Sequence, residues 1–98
     1  GLLLGTPANI GYMSGALKHF FDTVYYPALE AKHGLPYGYW VHGNNDVEGA
    51  IASIDRIVKG LGWQRVADPV TSIGPTTAEV RDACADMAAT VAANLLLD

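Results

Sequence analysis

Cysteine is almost missing from this chain. Cys84 is the single one, which excludes an internal disulfide framework and a thiolate metal cluster and fits a cytoplasmic origin. Charge is also scarce: Asp, Glu, Lys and Arg together make up 16% of the residues, and the net charge is -4. With no Lys/Arg cluster, the chain offers no surface for nucleic acid or for an anionic membrane. No apolar run approaches the ~18 residues of a membrane span, and no basic segment with a small-residue cleavage site opens the chain. Neither G-x-G-x-x-G nor G-x-x-x-x-G-K-[ST] occurs, so a phosphate-cradling loop is absent as well. There are no repeats or low-complexity stretches. The first residue is not Met, and Gly1-Leu2-Leu3-Leu4 reads as a start partway into a strand, the expectation for a fragment. Half of the 98 residues are hydrophobic, which suits one small domain around a buried sheet.

The order of elements follows from periodicity. Leu2 to Leu4 form a continuous apolar run, the pattern of an inner strand covered on both faces in a parallel sheet. Pro7 ends it by removing a ladder donor. Met13, Ala16, Leu17, Phe20, Phe21 and Val24 recur at helical spacing, with Lys18, His19 and Asp22 on the other face and Ser14 as cap. Pro27 predicts an end at or near Tyr26. Pro36 to His42 is rich in aromatic and β-branched residues and reads as a second strand, in which Gly38 permits close packing. Val47, Ala50, Ile51, Ile54, Val58 and Leu61 mark a second helix, capped by Asp46 and ended by Gly62 in a left-handed conformation. Arg65 to Thr71 is a weaker edge strand interrupted by Asp68 and Pro69. Thr76-Thr77-Ala78-Glu79 reads as a capping box before a last helix with Val80, Cys84, Met87, Val91 and Leu95 inward. Strand and helix thus alternate three times, which implies an α/β parallel sheet with right-handed connections.

The most informative stretch is the loop after the first strand. Gly5-Thr6-Pro7, Gly11, Met13-Ser14-Gly15, Leu17-Lys18 and Phe21-Asp22 together resemble the segment after the third strand in flavodoxin-like flavoproteins, especially the NAD(P)H-dependent FMN and quinone reductases. The resemblance covers the whole chain but only the second half of that family's domain. It implies a three-layer, doubly wound sheet of order 2-1-3-4-5, of which residues 1–98 supply strands three to five. The N-terminal part with the phosphate-binding loop is absent. It further implies an oxidoreductase that passes hydride from NAD(P)H through FMN to a small acceptor such as a quinone or free flavin. Dimers or tetramers that complete the flavin pocket follow from the same resemblance, with Tyr25, Tyr26, Tyr37, Tyr39 and Trp40 as surface candidates; burial in the local core is the reading preferred for Trp40.

By position, Thr6, Pro7, Ala8, Asn9, Ile10, Gly11, Tyr12, Met13 and Ser14 form one wall of the expected cofactor site, with backbone N–H groups aimed at the flavin and Ile10 or Tyr12 flanking its ring. His42, Gly43 and Asn44, at the end of the second strand, form the other wall. The plain alternatives are an ordinary βα turn for the first loop, a core histidine bonded to backbone for His42, and turn or cap residues for Asn44 and Asn45. No residue is assigned a catalytic role, because the cofactor performs the chemistry. A metal set of His42, Asn44 and Asp46 with His19 or His33 lacks any supporting Cys/His cluster. Ser14 is no nucleophile elbow, since Tyr12 and Ala16 stand where that motif needs glycines. Cys84 reads as a small buried residue. Two other roles are carried alongside the reductase: a flavodoxin-type carrier of single electrons between proteins, and a half-domain that holds no flavin alone. In that last case the edge of Leu2 to Leu4 is left open for pairing.

Overall fold

The computed structural model describes residues 1–96. The strands are β1 (Leu2–Pro7), β2 (Pro36–Gly43), β3 (Gln64–Arg65) and β4 (Val70–Ile73), and the helices are α1 (Gly15–Ala31), α2 (Glu48–Leu61) and α3 (Ala78–Asn94). β1 lies parallel to β2 with Leu4 opposite Tyr39 and Pro7 opposite His42. The other edge of β2 is shared by β3 at its start and β4 at its end, both parallel. The weak last strand of the sequence is therefore two short pieces, because the Asp68-Pro69 step breaks the ladder between them.

Alternation along the strands sends side chains to two different layers. Leu4, Tyr37, Tyr39 and Val41 meet Leu17 and Phe21 of α1 and Ala50, Ile54 and Val58 of α2 in one core. Each large side chain fully buried there, Ile54 and Phe21 among them, contributes about 1.5–3 kcal/mol. The opposite face carries α3. A Cβ at Gly38 would stand 2.5 Å from the Met87 sulfur and 3.2 Å from Val91, so glycine lets the inner side of α3 settle directly on β2. The molecule is a parallel α/β sheet between two helical layers, a flavodoxin-like arrangement.

Several local expectations need correction. α1 does not stop at Tyr26 but runs through Pro27 to Ala31. Pro27 lies on the exposed side, and the last turn is closed by the Lys32 N–H donating to Ala28 at 2.9 Å. A proline keeps helical φ, so loss of one bond on a solvated face is tolerated where flanking packing holds the helix. Asp46 is not the cap of α2: Val47 holds that position, and Asp46 Oδ1 accepts from Glu48 N (2.8 Å) one residue upstream. α3 is capped by Thr77, whose hydroxyl accepts from Val80 N, so Glu79 is one place too early to close a capping box. Gly62 does end α2 at φ 72°. Tyr37 and Tyr39, 2% and 0% exposed, belong to the core, whereas Trp40 is 39% exposed. Leu95, expected inward, is about half exposed.

Candidate functional site

Parallel strands deliver their connecting loops to one end of the sheet, and the crevice outside the carboxyl ends of the strands is where open α/β sheets bind ligands. Here the loop after β1 and the loop after β2 meet. Ala8 N–H donates to the His42 carbonyl at 2.8 Å, which continues the β1–β2 register one step past the sheet. Gly43 makes that approach possible, since a Cβ there would already lie 3.2 Å from both Ala8 and Val47.

Beyond Ala8 the chain folds back in a tight turn. Asn9 N–H donates to Tyr12 C=O (2.8 Å) and Tyr12 N–H to Asn9 C=O (3.0 Å). The central residues, Ile10 and Gly11, have φ of 49° and 71°, the pattern of a type I′ turn. For glycine this conformation is free; for a β-branched residue it costs on the order of 1–3 kcal/mol. The Ile10 side chain, held in that unfavourable backbone, is fully solvent-exposed at the tip.

The rest of the loop is pinned from below. Thr6, 3% exposed, accepts from Ser14 N through Oγ1 (2.8 Å) and donates to the Pro7 carbonyl (2.7 Å). Met13 is buried, and its N–H donates to Ser53 Oγ on α2 (3.2 Å), which itself donates to Ala50 O. Ser14 caps α1 by accepting from Leu17 N. The turn also rests on α2: a Cβ at Gly49 would fall 2.1 Å from Gly11 O, so only glycine fits beneath it.

The two loops enclose a cleft of about 430 Å³ lined by Ala8, Ile10, Gly11, Asn44, Asn45 and Asp46. Among the described residues, the N–H groups of Ile10, Gly11, Asn44, Asn45 and Asp46 have no protein acceptor. Both loops that line the cleft thus carry main-chain donors without a protein acceptor. Asp46 is the one charged residue of the lining, and none is Lys or Arg.

Of the sequence-predicted site residues, Ala8, Ile10, Gly11 and Asn44 come together in this cleft. Asn9, Tyr12, Pro7 and Gly43 shape it through the turn and the loop junction. Thr6, Met13 and Ser14 work underneath as fasteners. His42 points to the α3 side of the sheet, where its Nε2–H donates to the Gly74 carbonyl (2.6 Å); a carbonyl can only accept, so that nitrogen carries the proton. Asn45 and Asp46, in the same loop as His42, Gly43 and Asn44, also line the cleft; sequence reasoning missed Gly49 and Ser53. Ser53 was detectable as a hydroxyl one position from Ile54 on an apolar helical face; Gly49 gave no signal without the fold. Among the described residues no group of His, Cys, Asp or Glu is placed to hold a metal, and no helix is long and apolar enough to cross a membrane.

A flavodoxin-like α/β sheet with a two-loop cleft at its carboxyl edge is the class that fold and site define. Among solved structures the chain is similar to rubredoxin oxygen:oxidoreductase from the anaerobe Desulfovibrio gigas, with a TM-score of 0.82 and 17% identity. The match covers 97% of this chain and 23% of that one, so the chain spans about a quarter of that protein's length. At this identity the likeness shows the fold alone. No family model matches the chain, and no curated protein does.

Proposed function

We propose that this chain forms the flavin-ring site of an FMN oxidoreductase that takes reducing equivalents from NAD(P)H and passes them to a small acceptor such as a quinone or free flavin. The observation that carries the reading is the cleft between two βα loops, whose lining residues Ile10, Gly11 and Asn44 have N–H groups without a protein acceptor. The edge of an isoalloxazine presents acceptors to such donors, and donors fixed by the fold need no reorganisation when charge develops on the ring. Bound there, the flavin supplies hydride and one-electron chemistry. The chain's own residues hold and shield it: Ile10 offers an apolar wall, and Asp46 sets a negative charge at the rim. The similarity to a solved oxidoreductase supports a redox role, without its donor or acceptor.

The cleft fits the ring better than the phosphate, for which it offers no cation. The test is to add FMN to the purified chain, remove the excess, and record the visible spectrum. Retained flavin absorbance near one equivalent, weakened by Gly49→Ala, is the expected result. Bleaching by NAD(P)H then marks a reductase, and its failure a single-electron carrier. A colourless protein, with no quenching of flavin fluorescence at any concentration, removes the proposal.

A further inference from the structure

A second recess lies at the amino end of the sheet, on the edge away from β1. Tyr37 and Tyr39 stand two apart on β2 and so point to one face, and both rings lie in the core under α2. Only one of the two phenols is answered. Tyr39 donates to Asp55 Oδ1 at 2.8 Å, whereas the hydroxyl of Tyr37, a residue 2% exposed, makes no hydrogen bond among the described residues. β3 is the sheet edge opposite β1, and there Arg65 is the register partner of Tyr37. Asp55, Val58 and Lys59, at i, i+3 and i+4 of α2, cover the same point from above. Together with Trp63 these residues line a cavity of about 290 Å³. Trp63 adds a second orphan, because its indole Nε1–H is buried and has no partner.

We infer that this cavity is a binding site for a small organic carboxylate. Its lining is rich in donors and poor in acceptors. Lys59, Arg65 and the Trp63 indole can only donate, and the Tyr37 hydroxyl has its proton unused. The one carboxylate, Asp55, already accepts from Tyr39 and stands 3.6 Å from Arg65 Nη1. Two orphan donors beside a forked cation call for an oxyanion, since buried donors are unfavourable until an acceptor reaches them. Charge then selects among oxyanions. Lys59 and Arg65 against Asp55 leave one net positive charge, which a monoanion neutralises, whereas a phosphate dianion overshoots it and is repelled by Asp55. Val58 and the edges of the Tyr37 and Trp63 rings form an apolar wall, which suits a carboxylate on a hydrocarbon body. The cavity lies at the opposite end of the strands from the two-loop cleft, so this inference does not depend on flavin.

The test titrates benzoate into the isotope-labelled chain at neutral pH and follows the indole N–H resonances by nuclear magnetic resonance. The chain has two tryptophans, and Trp40→Phe assigns their signals. The Trp63 resonance should move downfield and saturate, while benzamide, the neutral isostere, leaves it in place. Tyr37→Phe keeps the core ring and removes one bond to a charged group, so it should weaken binding about tenfold. Lys59→Gln, a change at the helix surface, should weaken it severalfold with the circular dichroism unchanged. Four results would overturn the inference: benzamide moving the signal as far as benzoate, which would mark an apolar recess only; inorganic phosphate acting at lower concentration than benzoate, which would mark a general basic patch; undiminished binding in both variants; or no shift at high-millimolar benzoate.

Discussion

At the scale of single residues, the shape of the cleft depends on side chains that do not line it. Thr6 is the clearest. Its hydroxyl accepts from Ser14 and donates to the Pro7 carbonyl, so one buried oxygen ties the start of the loop to its end. Thr6→Val keeps shape and removes both bonds, leaving a part-buried N–H without a partner at a cost of about 1–3 kcal/mol. The expected outcome is lower stability in urea and weaker flavin retention together, whereas Ile10→Val should weaken retention alone. Thr6 was legible as part of a βα loop but not as its fastener, because the partner of a hydroxyl is a three-dimensional fact. Ile10 was legible as an exposed flank; its positive φ was not, since glycine and asparagine, not isoleucine, announce such turns.

Elements were the most readable level, since an apolar face recurs at a fixed period whatever it packs against. α1, β2 and α2 are where periodicity puts them. The failures cluster at boundaries, where local propensity competes with packing. Pro27 illustrates this: its missing N–H argues for an end, yet Phe20, Tyr25 and Ala28 packed against the core carry the helix past it. Pro27→Ala restores the bond to the Thr23 carbonyl and should stabilise the chain, by at most about 3 kcal/mol; thermal unfolding measures it, and a lower melting temperature would show that the proline is fixed by something other than helix geometry. The last strand failed differently. Two short pieces sharing one edge of β2 cannot be told from one poor strand by composition.

For the molecule as a whole, burial and charge make two further predictions. Tyr37 and Tyr39 stack 6.1 Å apart in the core, and Tyr39 donates to Asp55 at 2.8 Å. Burial, reinforced by the Asp55 charge, pushes the Tyr37 phenol up to about 12; burial and the hydrogen bond to Asp55 push Tyr39 higher still. In the unfolded chain both ionise near about pH 10. Between that pH and the folded values the native state binds more protons than the unfolded one, so stability falls as pH rises. Melting temperature should be insensitive to these groups below pH 10 and drop steeply above it, with tyrosinate absorbance appearing on unfolding; Tyr39→Phe should flatten the drop. The second prediction concerns the ligand. A cleft without a cation gives the phosphate of FMN no charge partner, so riboflavin and FMN should bind this chain about equally well. A tenfold preference for FMN, about 1.4 kcal/mol, would reveal a phosphate site elsewhere on the chain. The loop after β1 was legible in the sequence as one wall of the cleft, from its glycines and Thr-Pro turn. The second loop was legible as the opposite wall from its place after β2; that His42 turns away from the cleft to the Gly74 carbonyl was not.

The contact between Gly49 and the Ile10–Gly11 turn has a kinetic consequence. Because the turn is seated on α2, whose own first residues follow the second loop, the two walls of the cleft are joined through one helix. A ligand then meets a pocket already in its final shape and forfeits little loop entropy on entering. Association should be a single exponential whose rate rises linearly with concentration, with no slow closing phase.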